Sequence, residues 1–265
     1  MLSRSQIVAT IGPASGDKDM LLKLIAAGMD VARLNFSHGD YKSHADYIKN
    51  IREAAAESGK RIPIIQDLSG PRMSTGSGHE FDAGQSGVVT AKDLADLDFG
   101  ISQKVDYVAQ SYIGSAEDII LLKSEIAKRG ADIPVIAKIE RAEAVSNFDT
   151  ILVVADAVMI ARGDLGLSVP LEDIPFIEKD IISKCKQAGK PVITATQMLY
   201  SMVDNENPTR AEVTDVAYAI LMSSDAVMLS EETAIGKYPL RAVEIMEKIV
   251  KRVEGANPSE VVKSL

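Results

Sequence analysis

Short apolar runs alternate with longer amphipathic stretches from one end of the chain to the other. The runs Ile7–Ile11, Val31–Leu34, Pro63–Asp67, Val105–Ala109, Pro134–Ile139, Ala157–Ile160, Pro191–Ala195 and Ala226–Leu229 read as strands. Most are nearly continuous in apolar character, as in Pro134-Val135-Ile136-Ala137, which marks strands buried on both faces and therefore parallel. Between them, Asp19–Ala27, His44–Ala56 and Pro239–Val250 repeat apolar residues at helical spacing. Helix starts carry caps: Thr90 with Asp93, Ser115 with Glu117 and Asp118, Thr209 with Glu212, and Pro239 at a first helical position. Gly28, Gly59, Gly130 and Gly189 end helices just before the next strand.

Eight alternating units fit a closed (β/α)8 TIM barrel or a doubly wound open sheet. Strand ends decide in favour of the α/β barrel. Asn35, Asp67, Ser111, Lys138 with Glu140, Asp164, Thr196 and Ser230 close nearly every strand with a polar group. A barrel collects such groups round one mouth, whereas an open sheet concentrates them at one switch point. Residues 1–265 are read as one barrel. The segment Thr75–Val88, with Gly76, Gly78, Gly84 and Gly87 and no apolar period, reads as a flexible loop after the third strand. No internal repeat is evident.

Composition changes this picture little. The chain has 265 residues, 46% hydrophobic and 25% charged, with a formal charge of −9. One barrel accounts for nearly all of that length. No basic block or tryptophan points to nucleic acid. The one cysteine, Cys185, sits in a helical pattern and reads as a structural thiol. The start lacks an apolar signal region and no run is long enough to span a bilayer, so a cytoplasmic location is expected.

The strand ends suggest chemistry. Lys138 and Glu140 lie two apart and so face the same way. Glu140 and Asp164 are hard oxygen ligands on neighbouring strands and suit Mg2+ or Mn2+; a Lys–Glu pair and a turn aspartate are the alternative reading. Arg33 suits a bidentate grip on phosphate or carboxylate. His38 stands alone in a polar loop and is open to a structural as well as a catalytic reading. Thr10-Ile11-Gly12-Pro13-Ala14-Ser15 ends the first strand and opens a helix whose N-terminus would favour an anion.

Seven segments stand in the order found in pyruvate kinases. They are Thr10–Ser15, Ala32-Arg33-Leu34-Asn35-Phe36-Ser37-His38-Gly39, Lys138-Ile139-Glu140, Ala161-Arg162-Gly163-Asp164-Leu165-Gly166, Ala195-Thr196-Gln197-Met198-Leu199, Pro208-Thr209-Arg210-Ala211-Glu212 and Met228-Leu229-Ser230-Glu231-Glu232-Thr233-Ala234. The chain resembles the catalytic barrel of that family from residue 5 to about 250. The resemblance implies a barrel of the phosphoenolpyruvate/pyruvate-binding type that transfers phosphoryl from phosphoenolpyruvate to ADP. It implies Mg2+ or Mn2+ on Glu140 and Asp164, and K+ on Asn35, Ser37, Asp67 and the Leu68 carbonyl. It makes Lys138, Thr196 and Arg33 catalytic; Ser111, Gly163 and Asp164 substrate-binding; and Thr10, Pro13 and His38 nucleotide-binding. It also implies a homo-oligomer through barrel helices.

Three departures weaken the nucleotide half. Ser69 and Ser74 stand where the family has lysine and arginine; Arg72 is close enough to be a candidate substitute, though its neighbouring position would point it differently. The loop 75–88 stands where the family inserts a small β lid domain, and the family's C-terminal regulatory domain is expected to be missing. Glu231 also replaces a family glycine. A metal-dependent lyase working through a pyruvate enolate, such as an oxaloacetate decarboxylase or a 2-oxo acid aldolase, is therefore the alternative.

Overall fold

The structure is a computed structural model that describes residues 3–75, 78–82, 84 and 87–256. Eight parallel strands close a barrel: β1 (Gln6–Thr10), β2 (Met29–Asn35), β3 (Ile64–Asp67), β6 (Tyr107–Gln110), β7 (Val135–Ile139), β8 (Ala157–Ala161), β9 (Val192–Ala195) and β10 (Ala226–Leu229). Their ends lie within two residues of those expected from the apolar runs. The helices are α1 (Lys18–Ala27), α2 (Tyr41–Ser58), α3 (Ala91–Ser102), α4 (Ala116–Lys128), α5 (Ala142–Ser146), α6 (Phe148–Val154), α7 (Arg162–Leu165), α8 (Ile174–Ala188), α9 (Arg210–Leu221), α10 (Glu231–Ala234) and α11 (Pro239–Glu254). The caps at Thr90 and Thr209 are closed capping boxes, and Gly59 and Gly189 end α2 and α8 in the left-handed conformation.

The apolar residues divide into two cores because each strand alternates its side chains. One face, with Ile7, Leu34, Val135 and Val227, packs under the helices. The other fills the barrel with Val8, Val31, Ile65, Ala109, Ile136, Met159, Ile193 and Met228. Burial on both faces explains the unbroken apolar runs. Cys185 is buried in the helical layer, and burial pushes its thiol up to about 12, as expected of an inert structural cysteine.

Two expectations are corrected. The segment after β3 is not a featureless loop: β4 (Arg72–Thr75) and β5 (Gly78–Phe81) form an antiparallel hairpin with Arg72 opposite Phe81. Phe81 anchors it, with its ring 5.5 Å from that of Tyr112 and the Arg141 guanidinium 4.2 Å from its centre. Glycine and serine hide the strand because their intrinsic propensity is low, while cross-strand pairing and the Phe81 contact supply the stability. Residues 76, 77, 83, 85 and 86 of that segment lie outside the described residues.

The chain also has a recurrence that the sequence reading missed. At the N-terminal end of the barrel, four aspartates each accept the first or second amide of the preceding barrel strand. Asp30 takes Ile7 N (2.9 Å), Asp106 takes Ile64 N (2.9 Å), Asp156 takes Val135 N (2.8 Å) and Asp225 takes Val192 N (3.0 Å). The amides of Asp106, Asp156 and Asp225 return a bond to the carbonyl of the same residue, so one aspartate satisfies both main-chain groups of its neighbour. The outer oxygens of these three meet Arg61, Lys123 and Lys186. The signal was present as the identical tetrapeptides Asp156-Ala157-Val158-Met159 and Asp225-Ala226-Val227-Met228.

Asp225→Ala strands the Val192 amide and should cost about 1–3 kcal/mol in urea unfolding. Glu244→Ala, on the outer face of α11, should stay within about 0.5 kcal/mol. Equal small losses would show that water replaces the aspartate at the strand end.

Candidate functional site

The opposite end of the barrel gathers charge. Arg33, third from the end of β2, donates Nε to Asp67 Oδ2 at 2.7 Å, places a terminal nitrogen 2.7 Å from the same oxygen, and donates its other terminal nitrogen to Thr10 Oγ1 at 3.0 Å. Lys138 of β7 directs its ammonium at Ser111 Oγ (2.6 Å), Asp67 Oδ1 (3.0 Å) and Glu140 Oε1 (2.8 Å). The Ser111 hydroxyl in turn donates a hydrogen bond to the Leu68 carbonyl at 2.7 Å. All of these side chains except Arg33 are more than 95% buried.

Burial on its own would raise Asp67, but Lys138 and Arg33 outweigh it and hold the carboxyl below its ordinary range. Burial would likewise lower Lys138, and Asp67 and Glu140 reverse that, so the ammonium stays charged. Glu140 goes the other way. Burial raises it, Asp164 raises it further, and Lys138 only partly offsets them. Although Glu140 Oε1 lies 2.8 Å from the lysine nitrogen, it has no aligned hydrogen-bond donor. Asp67 and Glu140 face the two buried cations, and Asp164 adds a further carboxylate at the mouth.

A cavity of about 380 Å3 opens above this network, with Met159 and Met228 of the barrel interior beneath it. Of the residues expected at the site, Thr10, Pro13, Arg33, Asn35, His38, Lys138, Glu140, Asp164 and Thr196 line it. Ser37, Asp67, Leu68, Ser111 and Gly163 do not; Asp67, Leu68 and Ser111 stand behind the wall in the charge network. Arg72 also lines the cavity, which corrects the expectation that it points away. His38 is lowered by burial and then by the positive charges of Arg72 and Arg33, so its ring is neutral near pH 7. The idea of an anion site at the helix after Thr10–Ser15 is corrected as well. α1 begins only at Lys18, and the Asp17 carboxylate already caps it by accepting the Met20 amide.

Several contributors were missed. Tyr112 stands at φ 57°, a left-handed conformation rare for an aromatic residue. Its amide donates to Glu140 Oε2 at 2.6 Å and its hydroxyl reaches Asp164 Oδ1 at 3.4 Å, so one residue spans both carboxylates. Gly70, at φ 63°, is needed beside it, because a Cβ there would meet Ser111 and the Tyr112 ring at 3.1 Å. The Lys92 ammonium of α3 reaches Ser69 Oγ at 3.2 Å and the Phe36 carbonyl at 2.7 Å. His44 stacks on Phe36 at 4.1 Å and donates Nε2–H to the His38 carbonyl at 2.9 Å. None of these pairings follows from sequence spacing.

Thr196 also has positive φ, 65°. Its hydroxyl donates to the Ala195 carbonyl and accepts from the Gly163 amide, both at 2.7 Å. Such a conformation costs a β-branched residue about 1–3 kcal/mol and has to be held from outside. Arg162 does this. It donates to the Thr196 carbonyl at 2.9 Å while Asp215 clasps it through both oxygens at 2.6 and 2.7 Å and buried Glu178 lies at 3.3 Å.

Among the described residues no three His, Cys, Asp or Glu side chains cluster as a metal site. Mg2+ does not need three. It is held by one or two carboxylates together with water and substrate oxygens. The unmet Glu140 Oε1, the raised Glu140 and the neighbouring Asp164 fit such an ion. For a monovalent cation the fit is narrower. Ser37 Oγ is buried without a partner, but Asn35 Oδ1 accepts the Ser37 amide at 3.1 Å and Asp67 already faces two cations.

Comparison with known proteins agrees with this architecture. The family profile for the pyruvate kinase barrel domain matches residues 2–88 and 85–243. A pyruvate kinase of Thermococcus litoralis is 38% identical over 95% of this chain and 70% of its own length. One from Dictyostelium discoideum is 38% identical, over 95% and 66%, and pyruvate kinase 2 of Synechocystis is 39% identical, over 97% and 58%. This chain thus spans from about three fifths to 70% of the length of these relatives. The first alignment runs over 331 positions, more than the 265 residues here, so the relatives carry internal residues without a counterpart. The profile breaks at 85–88, just past the hairpin. The chain belongs to the pyruvate kinase family.

Arg162→Met leaves buried Glu178 without its cation and should cost about 3–5 kcal/mol in denaturant unfolding. Adding Glu178→Gln should recover part of that loss. A loss under about 1 kcal/mol for Arg162→Met would show that the cluster does not hold the Thr196 turn.

Proposed function

From membership in the pyruvate kinase family as the premise, we propose that this barrel transfers the phosphoryl group of phosphoenolpyruvate to ADP, giving pyruvate and ATP, with Mg2+ (or Mn2+) and K+ as its cations. The observation that carries the proposal is the joining of a buried ammonium, a carboxylate with an unmet oxygen and a second carboxylate at one mouth. Phosphoryl transfer needs positioning and charge neutralisation more than covalent help, and this set provides both.

In this reading Lys138, held by Ser111 and Asp67, faces the charge that builds on the transferring phosphoryl group and on the enolate oxygen. Arg33 orients phosphate with the N–H groups left over from Asp67 and Thr10. Glu140 and Asp164 hold the divalent ion, which supplies Lewis-acid stabilisation of the enolate oxygen when bound. The Gly163–Asp164 backbone receives the substrate carboxylate, and the Thr196 hydroxyl orients the acid and affects proton delivery to its methylene carbon. Thr10, Pro13 and His38 border the nucleotide. K+ is assigned to Ser37 and Asn35 with Asp67 and the Leu68 carbonyl; the unpartnered Ser37 hydroxyl supports it.

The hairpin β4–β5 takes the place of the family's lid domain, which leaves the nucleotide less enclosed than the acid. That shortness favours a second reading: a metal-dependent lyase acting through a pyruvate enolate, as in oxaloacetate decarboxylation or 2-oxo acid aldol cleavage. Its chemistry uses Glu140, Asp164, Lys138 and Thr196 and needs no nucleotide. We also assign the protein to the cytoplasm; among the described residues no helix is long and apolar enough to cross a membrane. Leu167, Leu171 and Phe176 are each more than 70% exposed, which supports assembly with a second copy through the barrel helices.

A coupled assay with phosphoenolpyruvate, ADP, Mg2+ and K+, run beside oxaloacetate with Mn2+, separates the two readings; turnover in the second alone overturns the first. Glu140→Gln and Asp164→Asn should each weaken Mn2+ binding by about tenfold or more, measured by spin resonance, because an amide is a poorer ligand than a carboxylate. Unchanged binding would remove the metal assignment. Sedimentation should give a species larger than the 28.4 kDa chain at micromolar concentration, and a monomer would contradict the assembly.

A further inference from the structure

Arg72 opens the hairpin, is half-buried, and lines the cavity together with His38, Arg33 and Lys138. Its Nε donates to the Ser69 carbonyl at 2.9 Å, and its guanidinium carbon lies 5.4 Å from the centre of the Tyr112 ring. Among the described residues its contacts are thus a carbonyl and an aromatic face rather than a carboxylate. The other two cations of the wall are committed. Lys138 already donates to Ser111 and lies within 3.0 Å of carboxylate oxygens of Asp67 and Glu140. Arg33 is neutralised by Asp67, although some of its N–H groups stay free for a ligand. Arg72 is the cation of this wall whose contacts given above, among the described residues, hold no carboxylate, and positions 69 and 74 carry serine. Residues 72 and 74 are separated by one full strand period, so a cation at 72 serves the same side of β4 as one at 74. Arg72, Arg33 and His38 line the same cavity.

We propose that Arg72 is the specificity-determining cation of this site: it recognises the phosphoryl group of the acid substrate from the hairpin, in place of the cations missing at 69 and 74. The inference rests on the phosphotransferase reading above and deepens it. A planar guanidinium stacked on Tyr112, with Nε fixed, presents its two terminal nitrogens as a fork, the geometry suited to phosphate.

The test compares two acids that share the carboxylate end and differ in phosphate. Titration calorimetry of the full chain with Mg2+ should show binding of both oxalate and phosphoenolpyruvate. In Arg72→Gln the affinity for phosphoenolpyruvate should fall by about tenfold or more, the effect of one charge-assisted contact, while that for oxalate stays within about twofold. Arg72→Lys, which keeps the charge and loses the fork, should fall between. Equal weakening of both ligands would overturn the inference, since it would mean that Arg72 only braces the hairpin on Tyr112. No change in either would overturn it as well. If the unaltered protein binds neither acid, the underlying reading of the site fails and the inference with it, a result distinct from selective failure at Arg72.

Discussion

The buried chain of charge from Arg33 through Asp67 and Lys138 to Glu140 is the constraint on which the rest of the site depends. Ions this deep are tolerated only when each is paired and its remaining hydrogen-bonding capacity is met. Ser111 satisfies Lys138, Thr10 satisfies Arg33, and Tyr112 adopts a strained backbone so that its amide can reach Glu140. The compensation stops at Glu140, where one oxygen lacks an aligned donor and Asp164 adds a further negative charge. Two carboxylates at one mouth, one with an unmet oxygen, are hard ligands of the kind a divalent cation takes.

The two ends of the barrel deal with polar groups in opposite ways. At the N-terminal end each of four aspartates closes the main-chain bonds of a neighbouring strand, a purely structural use of charge. At the C-terminal end the polar side chains point inward above Met159 and Met228, and backbone strain collects there at Tyr112, Thr196 and Gln197. Arg162 shows what that strain requires: a cluster of Asp215 and Glu178 secures an arginine whose task is to fix the carbonyl of Thr196. A rigid floor and a braced rim leave the hairpin as the element whose sequence sets what enters.

Much of this was legible in the sequence, for physical reasons. The barrel showed because strands buried on both faces must be apolar throughout, and because the polar residues at their ends recur at the same point of each unit. Lys138 and Glu140 showed because a strand turns residues two apart to one side. The hairpin did not, since glycine and serine give no strand signal and Phe81 finds its contacts, Arg141 and Tyr112, far along the chain. Tyr112 was invisible for the same reason: its value lies in a left-handed backbone and in partners at 140 and 164. The aspartate recurrence was present as a repeated tetrapeptide but becomes meaningful only when the neighbouring strand's amide is seen. Arg72 showed as a candidate substitute, but its direction could not be read because the register of β4 is hidden in a serine-rich segment.

We propose that the mouth of the barrel takes a divalent cation between Glu140 and Asp164, with the acid substrate beside it. Anomalous diffraction from crystals grown with Mn2+ and oxalate tests this most directly. The account predicts one strong peak within coordinating distance of both carboxylates, with oxalate oxygens completing the shell and Lys138 still paired to Asp67. A peak elsewhere, or oxalate bound with Glu140 still turned wholly to Lys138, would contradict it.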